Sequence, residues 1–147
     1  MNTPISALLE RKGSDVYTVA STVNVYDAVT EMNNHRIGSI VVVEGGRPTG
    51  IFTERDVLRR VVGEGFDPRT MRVADVMTTN LITITPETTV EETMVLFAEK
   101  HCRHLPVVEG GRLIGLISIG DISRWVADTH RAEAEHLKNY IAGGFSA

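Results

Sequence analysis

Two pairs of side chains in this 147-residue sequence have the types and spacing for chemistry: Thr53-x-x-Asp56 and Ser118-x-x-Asp121. Each stands where an apolar, β-prone run gives way to a helical pattern. A hydroxyl three residues ahead of a carboxylate at a helix start is a capping box, and the carboxylate is favoured at the positive end of the helix dipole. The same geometry has a second use. A helix start presents unpaired N–H groups that suit a phosphate, and a carboxylate in its first turn accepts hydrogen bonds from two neighbouring ribose hydroxyls. Ile51 and Leu116, one strand period before the hydroxyl residues, offer an apolar surface to a flat base. Capping alone leaves Gly50, Gly115 and Arg55 unexplained, so each pair marks a candidate nucleoside-phosphate pocket.

The elements that position these pairs are themselves duplicated. Gly50 to Asp56 recurs as Gly115 to Asp121, each after a Val-Val-Glu-Gly-Gly-Arg segment, and the 65-position register holds from Thr18/Thr83 to Val61/Val126. Val16 to Val19 and Leu81 to Ile84 are short β-prone runs. Helices follow, begun by Asn24 and Thr89, with apolar stripes Val25, Ala28, Val29, Met32 and Val90, Met94, Phe97. Two strands then flank Gly45-Gly46 and Gly110-Gly111, the dipeptides of a hairpin. A second helix carries Val57, Leu58, Val61 in one copy and Ile122, Trp125, Val126 in the other. Each copy is therefore expected to run strand, helix, strand, strand, helix, an α/β (α+β) arrangement.

An apolar cluster at helical spacing, Ile5, Leu8 and Leu9, precedes the first copy, and Val73, Val76 and Met77 repeat it before the second. The expected division is an N-terminal segment over 1–15, copies over 16–64 and 81–130, a connection over 65–80 and a helical tail over 131–147. That tail has Leu137, Tyr140 and Ile141 as anchors. Half-length units rarely hold a core alone, so the copies are expected to pack on each other as a pseudo-two-fold pair.

A formal net charge of −4 with mixed signs along the chain argues against a nucleic-acid footprint. The single Cys102 forms no intrachain disulfide, no run is long enough to span a bilayer, and the N-terminus lacks a basic region followed by an apolar stretch. A cytoplasmic protein without membrane or nucleic-acid partners is the expectation. His101, Cys102 and His104 are close in sequence but have no second Cys or paired zinc-type motif, so no metal is expected. Cys102 aligns with Ile37, which points to a packed residue rather than a nucleophile. Asp56 and Asp121 occupy equivalent points of a repeat, which gives them one role rather than distinct acid and base roles, and no enzyme is expected.

The duplicated pattern Gly-apolar-apolar-Thr/Ser-x-x-Asp, behind an apolar strand and a Gly-rich hairpin, resembles the CBS domain (named for cystathionine β-synthase) in its tandem, stand-alone form, the Bateman module. The resemblance covers nearly the whole chain. It implies two clefts between the copies that bind adenine nucleotides: AMP first, with ADP, ATP, NAD(H) or S-adenosylmethionine in range. It also implies a homodimer and an effector on another polypeptide. Carried over to this sequence, the first cleft uses Ile51, Thr53, Arg55 and Asp56 with Ile82 and Thr83 at the base and Arg103 and His104 near the phosphates. The second uses Leu116, Ser118, Gly120 and Asp121 with Tyr17, Thr18, Gly38 and Ser39. The second cleft thus receives no side-chain cation where the first receives Arg103 and His104, unless Arg36 or Arg124 reaches in, and Val41 stands where Pro106 stands. The alternative to a nucleotide sensor is a ligand-independent dimerisation or protein-interaction module.

Overall fold

The computed structural model describes residues 2–13 and 15–145, with side chains described as far as Glu135. The order is α1 (Ile5–Lys12), β1 (Thr18–Ala20), α2 (Val25–His35), β2 (Ser39–Glu44), β3 (Arg47–Thr53) and α3 (Glu54–Asp56), which continues as a π-helical stretch (Val57–Val62). Then come α4 (Val73–Val76), α5 (Val90–Lys100), β4 (His104–Glu109), β5 (Arg112–Ser118) and α6 (Ile119–Phe145). The two tandem copies have the expected mixed α/β pattern.

In the first copy β1 runs parallel to β2 and β2 antiparallel to β3, with Ser39 opposite Thr53. In the second, β4 and β5 pair with His104 opposite Ser118, and both hairpins carry a bulge at equivalent positions, Val42/Val43 and Val107/Val108. Both Gly-Gly turns have positive φ at the two central residues, the conformation that a two-residue hairpin requires. One expected strand is missing. Leu81 to Ile84 is reduced to a single parallel bridge, Ile84 with Val107. Pro106, in the place of Val41, has no N–H to carry the ladder on toward Ile82.

The helix N-caps form as the sequence predicts: Asn24 and Thr89 side chains accept from the N–H groups of Asp27 and Glu92. Two apolar assignments do not hold. Leu58 is 68% exposed, because the π-helical turn after Asp56 widens the repeat and directs Val57 and Val61 inward while Leu58 and Val62 face out. Met94 is also exposed, and Thr93 takes the buried place between Val90 and Phe97, its hydroxyl satisfied by the Thr89 carbonyl at 2.8 Å. α6 continues without a break from the second copy into the tail as far as Phe145, about 40 Å at 1.5 Å per residue. Residues 131–135 are exposed, and the side chains of Leu137, Tyr140 and Ile141 lie outside the described residues.

The core explains the repeated leading helix. Ile5, Leu8 and Leu9 of α1 pack with Ile84, Val90, Phe97, Leu105, Val107 and Ile117 of the second copy. Val73 and Val76 of α4 pack with Val25, Ala28, Ile40 and Phe52 of the first. Each copy is thus completed by the helix that precedes the other, and the backbone seals the exchange through Ile5 N–H to Thr88 O (2.8 Å) and Val73 N–H to Val23 O (2.9 Å). This also accounts for Gly50 and Gly115 without a ligand. A Cβ on Gly115 would lie 2.7 Å from a Leu9 methyl, and one on Gly50 would overlap the Met77 sulfur.

Candidate functional site

The first pair is built at the junction of β3 and α3. Thr53 is the N-cap: its hydroxyl accepts the Asp56 N–H at 3.2 Å, and the Asp56 carboxylate accepts the Thr53 N–H at 3.0 Å. The Thr78 hydroxyl donates to Asp56 at 3.2 Å, and the Arg60 guanidinium stands 3.7 Å away. Asp56 is buried, with both neighbours outside the motif that the sequence marks. Beside it the Gly38 carbonyl accepts the Glu54 N–H at 3.0 Å, and the Glu54 carboxylate covers Gly38 so closely that a Cβ there would sit 3.2 Å from it. Ser39 is buried opposite Thr53.

The second pair repeats the geometry with a different charge. The Ser118 hydroxyl accepts the Asp121 N–H at 3.1 Å, and Asp121 accepts the Ser118 N–H at 2.8 Å. Lys12 and Arg124 then each donate to an Asp121 oxygen at 2.6 Å. Burial works against ionisation of Asp121, but the hydrogen bonds from Lys12 and Ser118 outweigh it and hold its carboxyl below the usual range. The Arg103 carbonyl accepts the Ile119 N–H at 3.0 Å, which seats Arg103 and His104 at this helix start. His104 is half-buried. That burial lowers its pKa, reinforced by Lys12 and Arg103 and opposed by Asp121 and, across from the other copy, Glu54.

These two shifts set a pH dependence. Both groups titrate lower when folded than unfolded, so as pH falls the unfolded chain takes up protons first and stability declines. The His104 contribution is intact above about pH 6.5 and is lost below it; the Asp121 contribution goes only below about pH 4. The urea midpoint is therefore expected to be lower at pH 5.5 than at pH 7.5, with the difference reduced in His104→Gln. Equal slopes in the two proteins would assign the effect elsewhere.

The remaining predicted residues are placed as follows. Ile51 is buried and its backbone pairs with Thr78, while Arg55 is exposed on the first turn of α3. Ile82 packs on the second core, and Thr83 and Thr18 are exposed. Thr18 borders a cavity of about 250 Å³ between the copies, with Val16, Val43, Gly46, Leu113 and Ile114. Tyr17 is stacked on His35, ring centroids 3.7 Å apart. Leu116 is half-buried with its carbonyl bonded to Lys12, and Gly120 lies against Arg124. Within hydrogen-bonding reach, then, Gly38 and Ser39 join Thr53 and Glu54, and Arg103 and His104 join Ser118 and Ile119; Glu54 is the group that links His104 to the first copy. Sequence reasoning missed Lys12, the last residue of the exchanged α1, and Thr78, just past α4. The repeated apolar clusters before each copy mark these helices as buried but do not say in which core. Arg36 and His101, weighed in the sequence as a phosphate cation and a metal ligand, stand 65 positions apart, both at φ 54, and are the left-handed residues that turn each helix end toward Gly38 and Arg103.

Comparison with known proteins decides what this duplicated frame is: the CBS domain matches twice, over residues 7–63 and 73–128. The chain belongs to the CBS domain family. It is 39% identical to the CBS domain-containing protein CBSX3, mitochondrial, of Arabidopsis thaliana, over 98% of this chain and 74% of that one. Among solved structures it resembles a CBS-domain containing protein from Agrobacterium tumefaciens (TM-score 0.78, 39% identity, 83% of this chain and 98% of that one). It also resembles a hexameric CBS-CP12 protein from bloom-forming cyanobacteria (TM-score 0.73, 32% identity, 83% and 67%). CBS domains serve generally as regulatory, ligand-sensing modules and not as catalysts. Among the described residues no three His, Cys, Asp or Glu side chains converge as a metal site requires, and no helix is long and apolar enough to cross a membrane. Cys102 packs partly against the second core, and burial pushes its thiol pKa up, away from nucleophilic character.

Proposed function

We propose that this CBS pair binds an adenine nucleotide, AMP in first place, at its two helix starts and signals the bound state through the arrangement of its copies or of two modules in a dimer. The observation that carries this reading is the repeated buried carboxylate. Asp56 and Asp121 each lie in the first turn of a helix behind a Thr or Ser cap, with a strand residue, Ile51 or Leu116, ahead of them. A carboxylate at both equivalent helix starts is placed to accept from the two neighbouring hydroxyls of a ribose. In the first cleft Ile51, Thr53, Arg55 and Asp56 work with Ile82, Thr83, Arg103 and His104. In the second, Leu116, Ser118, Gly120 and Asp121 work with Tyr17, Thr18, Gly38 and Ser39. Binding shifts the equilibrium by its differential affinity for one arrangement. Leu58, Val62, Met94 and Val95 are exposed on helices and supply apolar surface for a homodimer.

A ligand-independent dimerisation module is the second reading, favoured by the fact that both capping boxes are complete without any ligand. A thermal-shift panel separates the two. AMP, ADP, ATP, NAD, NADH and S-adenosylmethionine are expected to raise Tm, and GMP is not. Ligand at a hundredfold excess over Kd adds about 2.7 kcal/mol, or several degrees for a chain of this size. No shift with any of them, in a protein that remains dimeric, would favour the dimerisation module.

A further inference from the structure

The two carboxylates are not held alike. Asp56 has a neutral hydroxyl from Thr78 and one guanidinium at 3.7 Å. Asp121 has a cation on each oxygen at 2.6 Å, Lys12 on one and Arg124 on the other, and Lys12 also donates to the Leu116 carbonyl at 2.5 Å. Arg124 is largely exposed, on a side chain that can swing into solvent. Lys12 is less free. It is the last residue of α1, which Ile5, Leu8 and Leu9 anchor in the second core, and its neighbour Arg11 is tied to Asp128 at 2.7 Å and lies 5.5 Å over the Trp125 ring. The space left beside Asp121, among Leu8, Arg11, Lys12, Arg124 and Trp125, is about 230 Å³. That is below the roughly 300–1,000 Å³ of pockets that enclose a small-molecule ligand.

We propose that the end of α1 is a latch on the second cleft: Lys12 occupies the carboxylate that a ribose would use, and a nucleotide gains Asp121 only by displacing it. The proposal rests on the reading of Asp121 as a ribose acceptor. At Asp56 the occupant is a neutral hydroxyl with a guanidinium at 3.7 Å, which is easier to displace, and this cleft fills first. The second fills at higher concentration, and its filling moves a helix that precedes the first copy in sequence but belongs to the core of the second. One ligand at two concentrations then gives two structural outputs. The latch makes Lys12 a determinant of relative affinity, with the opposite sign to a phosphate-binding lysine, whose loss would weaken binding.

The test isolates the second cleft by calorimetry with AMP in an Asp56→Asn background, with and without Lys12→Met, which keeps the length and apolar stem of the side chain while removing its charge. Loss of a charge-assisted hydrogen bond that the ligand must otherwise break is expected to tighten binding about tenfold. Trp125 is the only tryptophan of the chain, so its emission reports movement of Arg11. It is expected to change with AMP in the Asp56→Asn protein and to change less once Lys12 is gone. Binding in Asp56→Asn that is equal or weaker after Lys12→Met, with Trp125 silent, would overturn the latch. So would binding confined to the Asp56 cleft in every protein, an outcome that leaves the nucleotide reading intact. No AMP binding to the unmodified chain or to any variant would remove the nucleotide reading and the latch together.

Discussion

Replacing Ile5 by alanine is expected to lower the stability of the whole protein by about 2–5 kcal/mol, although the residue lies outside both repeats in sequence. Ile5 is fully buried, surrounded by residues of the second copy, and its N–H is bonded to the Thr88 carbonyl at 2.8 Å. Alanine would leave a cavity that the helix cannot close, because Leu8 and Leu9 fix α1 on the same core. For a chain of 147 residues each kcal/mol corresponds to about 2–4 °C in Tm, so a fall of roughly 10 °C is expected in a thermal scan. Exchange of the leading helices makes the result diagnostic. A loss below about 1 kcal/mol would mean that the N-terminal segment is an appendage and that the second copy closes its core without it.

Asp56→Asn is expected to separate ligand binding from folding. Asparagine keeps the size of the side chain and an oxygen to accept the Thr53 N–H, so the cap survives and the ligand-free Tm should change by only a few degrees. It removes the charge and presents an amide to the ribose. Two hydrogen bonds to a charged acceptor, each worth about 1.5 kcal/mol at the lower end, correspond to about a hundredfold loss of AMP affinity at that cleft. Calorimetry with the variant measures it directly. Undiminished affinity would make Asp56 a cap and nothing more, as would a collapse of Tm with affinity unchanged.

Much of this protein was legible in its sequence because it is written twice. The 65-position register exposed the strands of both Gly-Gly hairpins, the caps at Asn24 and Thr89 and the pairs Thr53/Asp56 and Ser118/Asp121, all of which depend on local residue chemistry. What was hidden depends on contacts far apart in the chain. The exchange of α1 and α4 could not be read from apolar spacing, which marks a buried face but not the core that buries it. The glycines at 50 and 115 looked like parts of a ligand motif; a close approach by Met77 and Leu9 explains them. Leu58 and Met94 fell on the wrong face because a π-helical turn and a buried threonine shift the stripe that an ideal 3.6-residue period predicts. In the site, Lys12 and Thr78 reach their carboxylates only through that exchange, and the sequence separations of 109 and 22 residues hide them. The asymmetry between the clefts was visible as a lack of cations near Gly38 and Ser39. Arg124 was one of two cations the sequence offered there, and it meets Asp121; Lys12 on the other oxygen was not visible.

As ribose acceptors for an adenine nucleotide, the buried carboxylates at the two helix starts must meet the ribose hydroxyls directly. A crystal structure of the chain grown with AMP at millimolar concentration tests this most directly. A nucleotide is expected between the copies, with both ribose hydroxyls on Asp56, the base against an apolar strand residue and the phosphate near Arg103 and His104. A nucleotide bound elsewhere, or a complex in which Asp56 keeps only its bonds to Thr53 and Thr78, would contradict it.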